Sequence, residues 1–145
     1  MNEIMNIETN CTITEELDTS NNSSMYCSIK GETVQDKVAI FNAISNPKNN
    51  LSDCIGMTID VKDVVAHYVH VESTINPGEI VSAPRIVLIG ADGVTYACVS
   101  TGIMQALKQI FMLFGMPTWE TPVRVKVVQK TGRKGFRFLS LELVA

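Results

Sequence analysis

From residue 56 onward the chain alternates, and then its period changes. Across residues 57–71, Met57, Ile59, Val61, Val65, Val69 and Val71 share one parity. That is the period-two pattern of a strand with one face buried. Asp63 and His67 interrupt it, as a long strand does where it bends or bulges across a barrel. Asn76-Pro77-Gly78 supplies a turn, and residues 80–89 read as a second strand with Pro84 marking an edge or bulge. Ala91-Asp92-Gly93 is a hairpin signal, and residues 94–100 make a third strand. The spacing then turns helical. Ile103, Leu107, Ile110, Phe111 and Phe114 fall on one helical face, Ser100 or Thr101 can cap its start, and Gly115 with Pro117 ends it. Two more strands follow. In the first, Val123, Val125 and Val127 oppose Arg124, Lys126 and Val128; a turn at Thr131-Gly132-Arg133-Lys134-Gly135 leads into the last, residues 136–144.

The order β-β-β-α-β-β matches a mainly β, five-stranded OB-fold barrel, in which a helix between the third and fourth strands plugs one end. A mixed α+β sandwich could use the same order. Upstream the pattern is weaker. Residues 25–29 suit a short strand, residues 37–44 suit a strand or one helical turn, and residues 46–50 have the composition of a loop. Residues 1–24 are rich in Asn, Thr, Ser and Glu and lack aromatics, which marks a flexible polar, acidic tail. Within that tail Ile7, Cys11 and Ile13 alternate with polar residues, as in a strand that needs a partner. The division expected is therefore a tail at 1–24 and one OB-type domain at 25–145.

Charge changes the picture because it is segregated. The net charge of −3 averages an acidic start and a basic end. Residues 1–35 hold six acids and one base, whereas residues 121–145 hold Arg124, Lys126, Lys130, Arg133, Lys134 and Arg137 against Glu142 alone. A phosphate backbone responds to the local field rather than the total. The alternative is a solvated edge hairpin whose charges resist aggregation. The longest apolar run near the helix, residues 110–114, is far short of the ~20 needed to cross a bilayer. No signal-peptide pattern opens the chain, and the four cysteines form no C-x-x-C pair. A cytoplasmic protein with free thiols is the expectation.

Catalytic chemistry finds no foothold. There is no phosphate loop, no G-x-S-x-G and no H-E-x-x-H. His67 and His70, like Asp60 and Asp63, are three apart on a strand and point to opposite faces, so neither pair builds a metal or acid–base site. No enzyme activity, metal, cofactor or small-molecule substrate is expected. The informative constellation is cationic residues among aromatics, because single-stranded nucleic acid needs cations along its phosphates and flat rings under its bases. Phosphate contacts are expected from Arg124, Lys126, Lys130, Arg133, Lys134 and Arg137. Stacking is expected from Phe136 and Phe138, which oppose Leu139, Leu141 and Leu143, and from Tyr68 and Tyr96. Each of these rings could instead be packing, Phe136 and Phe138 beneath the N-terminal extension. Trp119 reads first as packing, and Met104, Met112 and Met116 as core filler.

Three stretches carry a resemblance. Gly56-Met57-Thr58-Ile59-Asp60-Val61-Lys62-Asp63-Val64-Val65, residues 101–115 with Pro117-Thr118-Trp119, and Val123-Arg124-Val125-Lys126-Val127-Val128 resemble the single-stranded-DNA-binding proteins of Gram-positive phages and conjugative plasmids. The likeness spans residues 34–144 without a diagnostic short motif. It implies an OB fold, sequence-tolerant binding of single-stranded DNA, and a place in phage or plasmid DNA replication or in conjugation. The chain lacks the long Gly/Pro/Gln-rich C-terminal linker and acidic tip of housekeeping bacterial single-strand binders, ending at Leu143-Val144-Ala145. The tail is expected to join subunits through Ile7, Cys11 and Ile13. The rival function is a protein-interaction module of a conjugation or secretion assembly without nucleic acid.

Overall fold

The computed structural model describes residues 25–73 and 75–145. The tail reading at residues 1–24, with Ile7, Cys11 and Ile13, lies outside them. Among the described residues seven strands form one mixed sheet: β1 (Met25–Cys27), β2 (Asn49–Asn50), β3 (Thr58–Glu72), β4 (Ile80–Gly90), β5 (Thr95–Val99), β6 (Val123–Thr131) and β7 (Arg137–Leu143). Helix α1 (Val34–Ser45) follows β1, and α2 (Thr101–Phe114) lies between β5 and β6. The sheet order is β2-β5-β4-β3-β6-β7, with β1 paired to β3 beyond the end of β6. The sheet curls into an OB-like half-barrel with an N-terminal extension. Besides the five strands read from residue 56 onward, it has β1, where residues 25–29 suited a short strand, and β2, two residues in the stretch read as a loop.

Two apolar clusters occupy opposite faces of the sheet. The concave one gathers Ile59, Val61, Val64 and Ala66 of β3, Ile86 and Leu88 of β4, Val123, Val125 and Val127 of β6, and Leu141. Helix α2 fills it with Ile103, Leu107 and Ile110. Burying each of these three side chains contributes roughly 1.5–3 kcal/mol. Ser100 caps α2 by accepting from the Ile103 amide, and Gly115 at φ 81° closes it. The outer cluster is smaller: Cys27, Val65, Val87, Ile89 and Ala97, covered by Ala43, Ile40 and Ile44 of α1. Helix α1 starts at a capping box formed by Thr33 and Asp36. It is a full helix of 12 residues where the sequence suggested one turn or a strand.

Asp63 explains how β3 serves both clusters. A register shift between Val61 and Asp63 flips the strand, so the concave parity passes from Ile59 and Val61 to Val64 and Ala66. Asp63 is buried at this bulge, accepting hydrogen bonds from the hydroxyls of Ser28 (2.8 Å) and Thr118. Ser28 also accepts from the Val64 amide at 2.9 Å. One carboxylate thus ties the end of β1, the bulge and the loop after α2. Hydrogen bonds to a charged group contribute about 1.5–3 kcal/mol each, and leaving their partners buried costs more. Asp63→Ala is expected to lower Tm by roughly 10 °C. A thermal melt that does not move would remove this role. In the same loop Trp119 is buried, donates its indole N–H to the Gly115 carbonyl at 3.0 Å and packs on Phe111, which packs on Tyr26. Burial pushes the Tyr26 hydroxyl up to about 12. Met104 packs against the core, but Met112 and Met116, expected as filler, are exposed beyond the buried face of α2.

Candidate nucleic-acid interface

The β6–β7 hairpin positions the C-terminal cations. Val123, Val125 and Val127 point into the core, which turns Arg124, Lys126 and Lys130 outward. Lys130 stands directly opposite Phe138, Lys126 opposite Glu142, and Thr131 opposite Arg137. The hairpin closes through a short 3₁₀ turn, Arg133–Gly135, with the Gly132 amide donating to the Phe136 carbonyl at 2.6 Å. Lys134 sits at φ 59°, the left-handed region that costs a non-glycine residue on the order of 1–2 kcal/mol. Such strain is retained where surrounding structure enforces it, and it concentrates at functional sites.

The six expected phosphate contacts divide into two groups. Arg124 donates from Nε to Asp60 at 2.8 Å, and this bond and charge push the guanidinium pKa up. Lys126 lies across from Glu142. Their positive charge is therefore offset locally. Lys130, Arg133, Lys134 and Arg137 are exposed and have no ion pair among the described residues. Both faces of the hairpin end carry a cation, Lys130 on one and Arg137 on the other, with Arg133 and Lys134 at the tip.

The expected rings separate as sharply. Phe136 is 65% exposed and precedes β7 rather than lying in it. Phe138 is 40% exposed, and its ring lies against the hairpin's own Gly132 and against Gly102 of α2. Tyr68 is 46% exposed on the part of the β3–β4 ribbon that projects past β6, opposite Pro84. The bulge at Asp63 puts Tyr68 on the same face as Val64 and Ala66, so it does not oppose the core residues as simple alternation implied. Tyr96 is a correction. It is 8% exposed and packs in the concave core, where burial raises its hydroxyl pKa, so its ring is not presented for stacking. The outward positions of β5 are Thr95, Ala97 and Val99, and Ala97 lies in the cluster covered by α1. On that outer face Val87 and Ile89 of β4 lie with Ala97 under α1. Leu143, expected in the core, is also partly exposed.

Sequence pattern missed two features elsewhere on the surface. Arg85 on the ribbon approaches His67 at 3.4 Å, Nη1 to Nε2, and burial together with Arg85 lowers the His67 pKa. Phe41, Val34 and Val38 form an exposed stripe on α1. The only sequence signal for either was composition. No cluster of three His, Cys, Asp or Glu residues capable of holding a metal occurs among the described residues. No helix among them is long and apolar enough to cross a membrane.

Comparison with known proteins adds to this geometry. A family model described as Phage Single-stranded DNA-binding protein matches residues 19–144. Two curated proteins, each named Single-stranded DNA-binding protein, come from Bacillus phage phi29 and Bacillus phage PZA. Each is 30% identical over 112 residues, covering 77% of this chain and 88% of the relative. No solved structure matches the chain significantly.

Proposed function

The chain belongs to the phage single-stranded-DNA-binding protein family, and from that premise we propose that it binds single-stranded DNA with broad sequence tolerance and without catalysis. One observation carries the reading: four exposed cations with no ion pair among the described residues share a hairpin with two exposed phenylalanines. Cations on a flexible polyanion give affinity through counterion release, and rings give sequence-tolerant stacking. Lys130, Arg133, Lys134 and Arg137 form the phosphate track; Arg124, ion-paired to Asp60, and Lys126, across the ladder from Glu142, contribute less. Phe136 and Phe138 are the principal stacking rings, with Tyr68 as an outlying one. The five barrel strands of this reading are β3 to β7, and β1 and β2 belong to the extension. The site of action is the cytoplasm, in phage or plasmid DNA replication or in conjugation; both named relatives are phage proteins, which favours replication.

Fluorescence-anisotropy titration with labelled oligo-dT tests the proposal. Binding that weakens steeply with salt is expected, and Phe136→Ala is expected to cost about 1–3 kcal/mol of it with little change in Tm. Absence of binding at low salt would overturn the reading. It would favour the protein-docking alternative, to which the exposed Met112, Leu113, Phe114 and Met116 are suited.

Self-association is part of the proposal. The alternation of Ile7, Cys11 and Ile13 suits an added strand. A strand donated to a neighbour's edge makes a head-to-tail contact that can run on along DNA. A truncated chain beginning at Met25 is expected to keep its fold and lose this association. Light scattering after size exclusion, with and without oligonucleotide, would refute the tail's role if both proteins gave the same mass.

A further inference from the structure

Between α2 and β7 lies a cavity of about 390 Å³ whose lining is chemically mixed. Gln105 and Gln109, one helical turn apart, place two carboxamides along one side. Phe138 contributes its ring, Lys130 its ammonium, and Ile110 apolar surface. Ser140 lines the other side. It is 8% exposed, and its hydroxyl is hydrogen-bonded to no described residue. A buried hydroxyl without a partner costs free energy and is uncommon in a folded chain, so its aim into a cavity marks a place for a polar ligand. The Phe138 ring is held in place: a Cβ on Gly132 would stand 3.2 Å from Phe138 Cε1, and one on Gly102 would stand 2.9 Å from Phe138 Cδ2. Backbone from two different elements thus abuts the ring, which needs no reordering to receive a flat ligand.

We propose that this cavity holds one purine base of the bound single strand, stacked on Phe138 and hydrogen-bonded at its edge by Gln105, Gln109 and Ser140. The inference rests on the single-strand-binding reading above and deepens it. A carboxamide both donates and accepts, and so does a hydroxyl. That set matches the adjacent donor and acceptor on the edge of adenine or of guanine, whereas lysine donors alone would not. A purine also offers the larger flat surface to the ring and fills more of the cavity than a pyrimidine. Lys130, directly across the ladder from Phe138, reaches toward the phosphate of the same nucleotide. The cavity therefore adds a bias for base type at one position to a track that is otherwise indifferent to sequence. Among the described residues no acid lines it, so the approaching phosphate meets no like charge from them.

The test is competition anisotropy with four 12-nucleotide strands: all-dT, and dT carrying one central dA, dG or dC. The dA and dG strands are expected to bind several-fold more tightly than the other two. Gln105→Ala/Gln109→Ala, at exposed helix positions that tolerate alanine, is expected to bind all four alike. Lys130→Ala is expected to weaken all four by the same factor and keep the purine preference. Equal affinity of the unsubstituted protein for all four strands overturns the cavity assignment and leaves the proposed function standing. A purine preference that survives in the double glutamine variant also overturns it, since another ring would then be its source. Failure of every strand to bind overturns the proposed function and the cavity assignment with it.

Discussion

Replacing Lys130, Arg133, Lys134 and Arg137 together by alanine will weaken single-strand binding on the order of 10²–10³-fold at about 0.1 M salt. Each phosphate neutralised on a single strand adds about 0.7 to the slope of log affinity against log salt, so losing four contacts flattens it by about 2.8. Over the decade from about 1 M to 0.1 M salt, that slope is the predicted loss. All four side chains are exposed and none has an ion-pair partner among the described residues, so the fold is expected to survive. Removing Arg124 and Lys126 instead should change the slope much less. Asp60 and Glu142 already stand beside them, and removing a base beside an acid leaves the acid to repel the strand. Salt titrations of the two multiple variants decide the matter. If the Arg124/Lys126 variant shows the larger change in slope, the track runs along the flank of β6 rather than over the hairpin end.

The split between these groups was not visible along the chain. Alternation in residues 123–128 correctly turned Arg124 and Lys126 to solvent, because only one face of β6 meets the core. Their acidic neighbours come from β3 and β7, and cross-strand register is a tertiary fact. Tyr96 failed for a related reason. Strand β5 is buried on both faces, by the concave core and by α1, so Tyr96 and Ala97 are both inside and period two cannot sort them. Alternation put Tyr68 opposite the core residues of its strand, but one residue at a bulge reverses every parity after it. Asp63 was the sequence's marker for that bulge, and its buried hydroxyl partners, Ser28 and Thr118, lie 35 and 55 residues away.

Helix α1 shows what remains when pattern reading has little to act on. Its apolar residues Val34, Val38 and Phe41 face solvent, and only Ala43 is fully buried. Ile40, Ala43 and Ile44 do face the sheet at helical spacing, but the exposed apolar stripe beside them hides that period along the chain. The legible sign was Thr33 three residues before Asp36, a capping box with a short acid. Helix α2 was legible to within a residue because its buried face, its serine cap and its terminal glycine agree. The glutamines of the cavity were not legible at all. On a helical wheel they sit with the solvated residues, and only the nearness of β7 makes them a lining.

That nearness depends on Gly102. Helix propensity alone favours Gly102→Ala by about 1 kcal/mol, since glycine is a poor helix former. The packing argument runs the other way and is larger. A Cβ at position 102 would fall well inside van der Waals contact with the Leu139 carbonyl oxygen and 2.9 Å from Phe138 Cδ2. The oxygen belongs to the backbone of β7, which is held in register by β6 from Arg137 to Leu143 and cannot swing aside as a flexible side chain could. The helix must instead back away from the strand, loosening Ile103, Leu107 and Ile110 in the concave core. Overpacking of this kind costs about 1–3 kcal/mol where side chains can yield, and more where backbone meets backbone. Gly102→Ala is therefore expected to be destabilised by about 3–5 kcal/mol net, with a fall in Tm of roughly 10 °C or more. Urea denaturation measures the first and a thermal melt the second. The variant should also lose affinity per folded molecule, because Phe138 is displaced with the helix. A Gly102→Ala protein as stable as the parent would mean that α2 stands further from β7 than the structure places it, and the cavity between them would lose its walls.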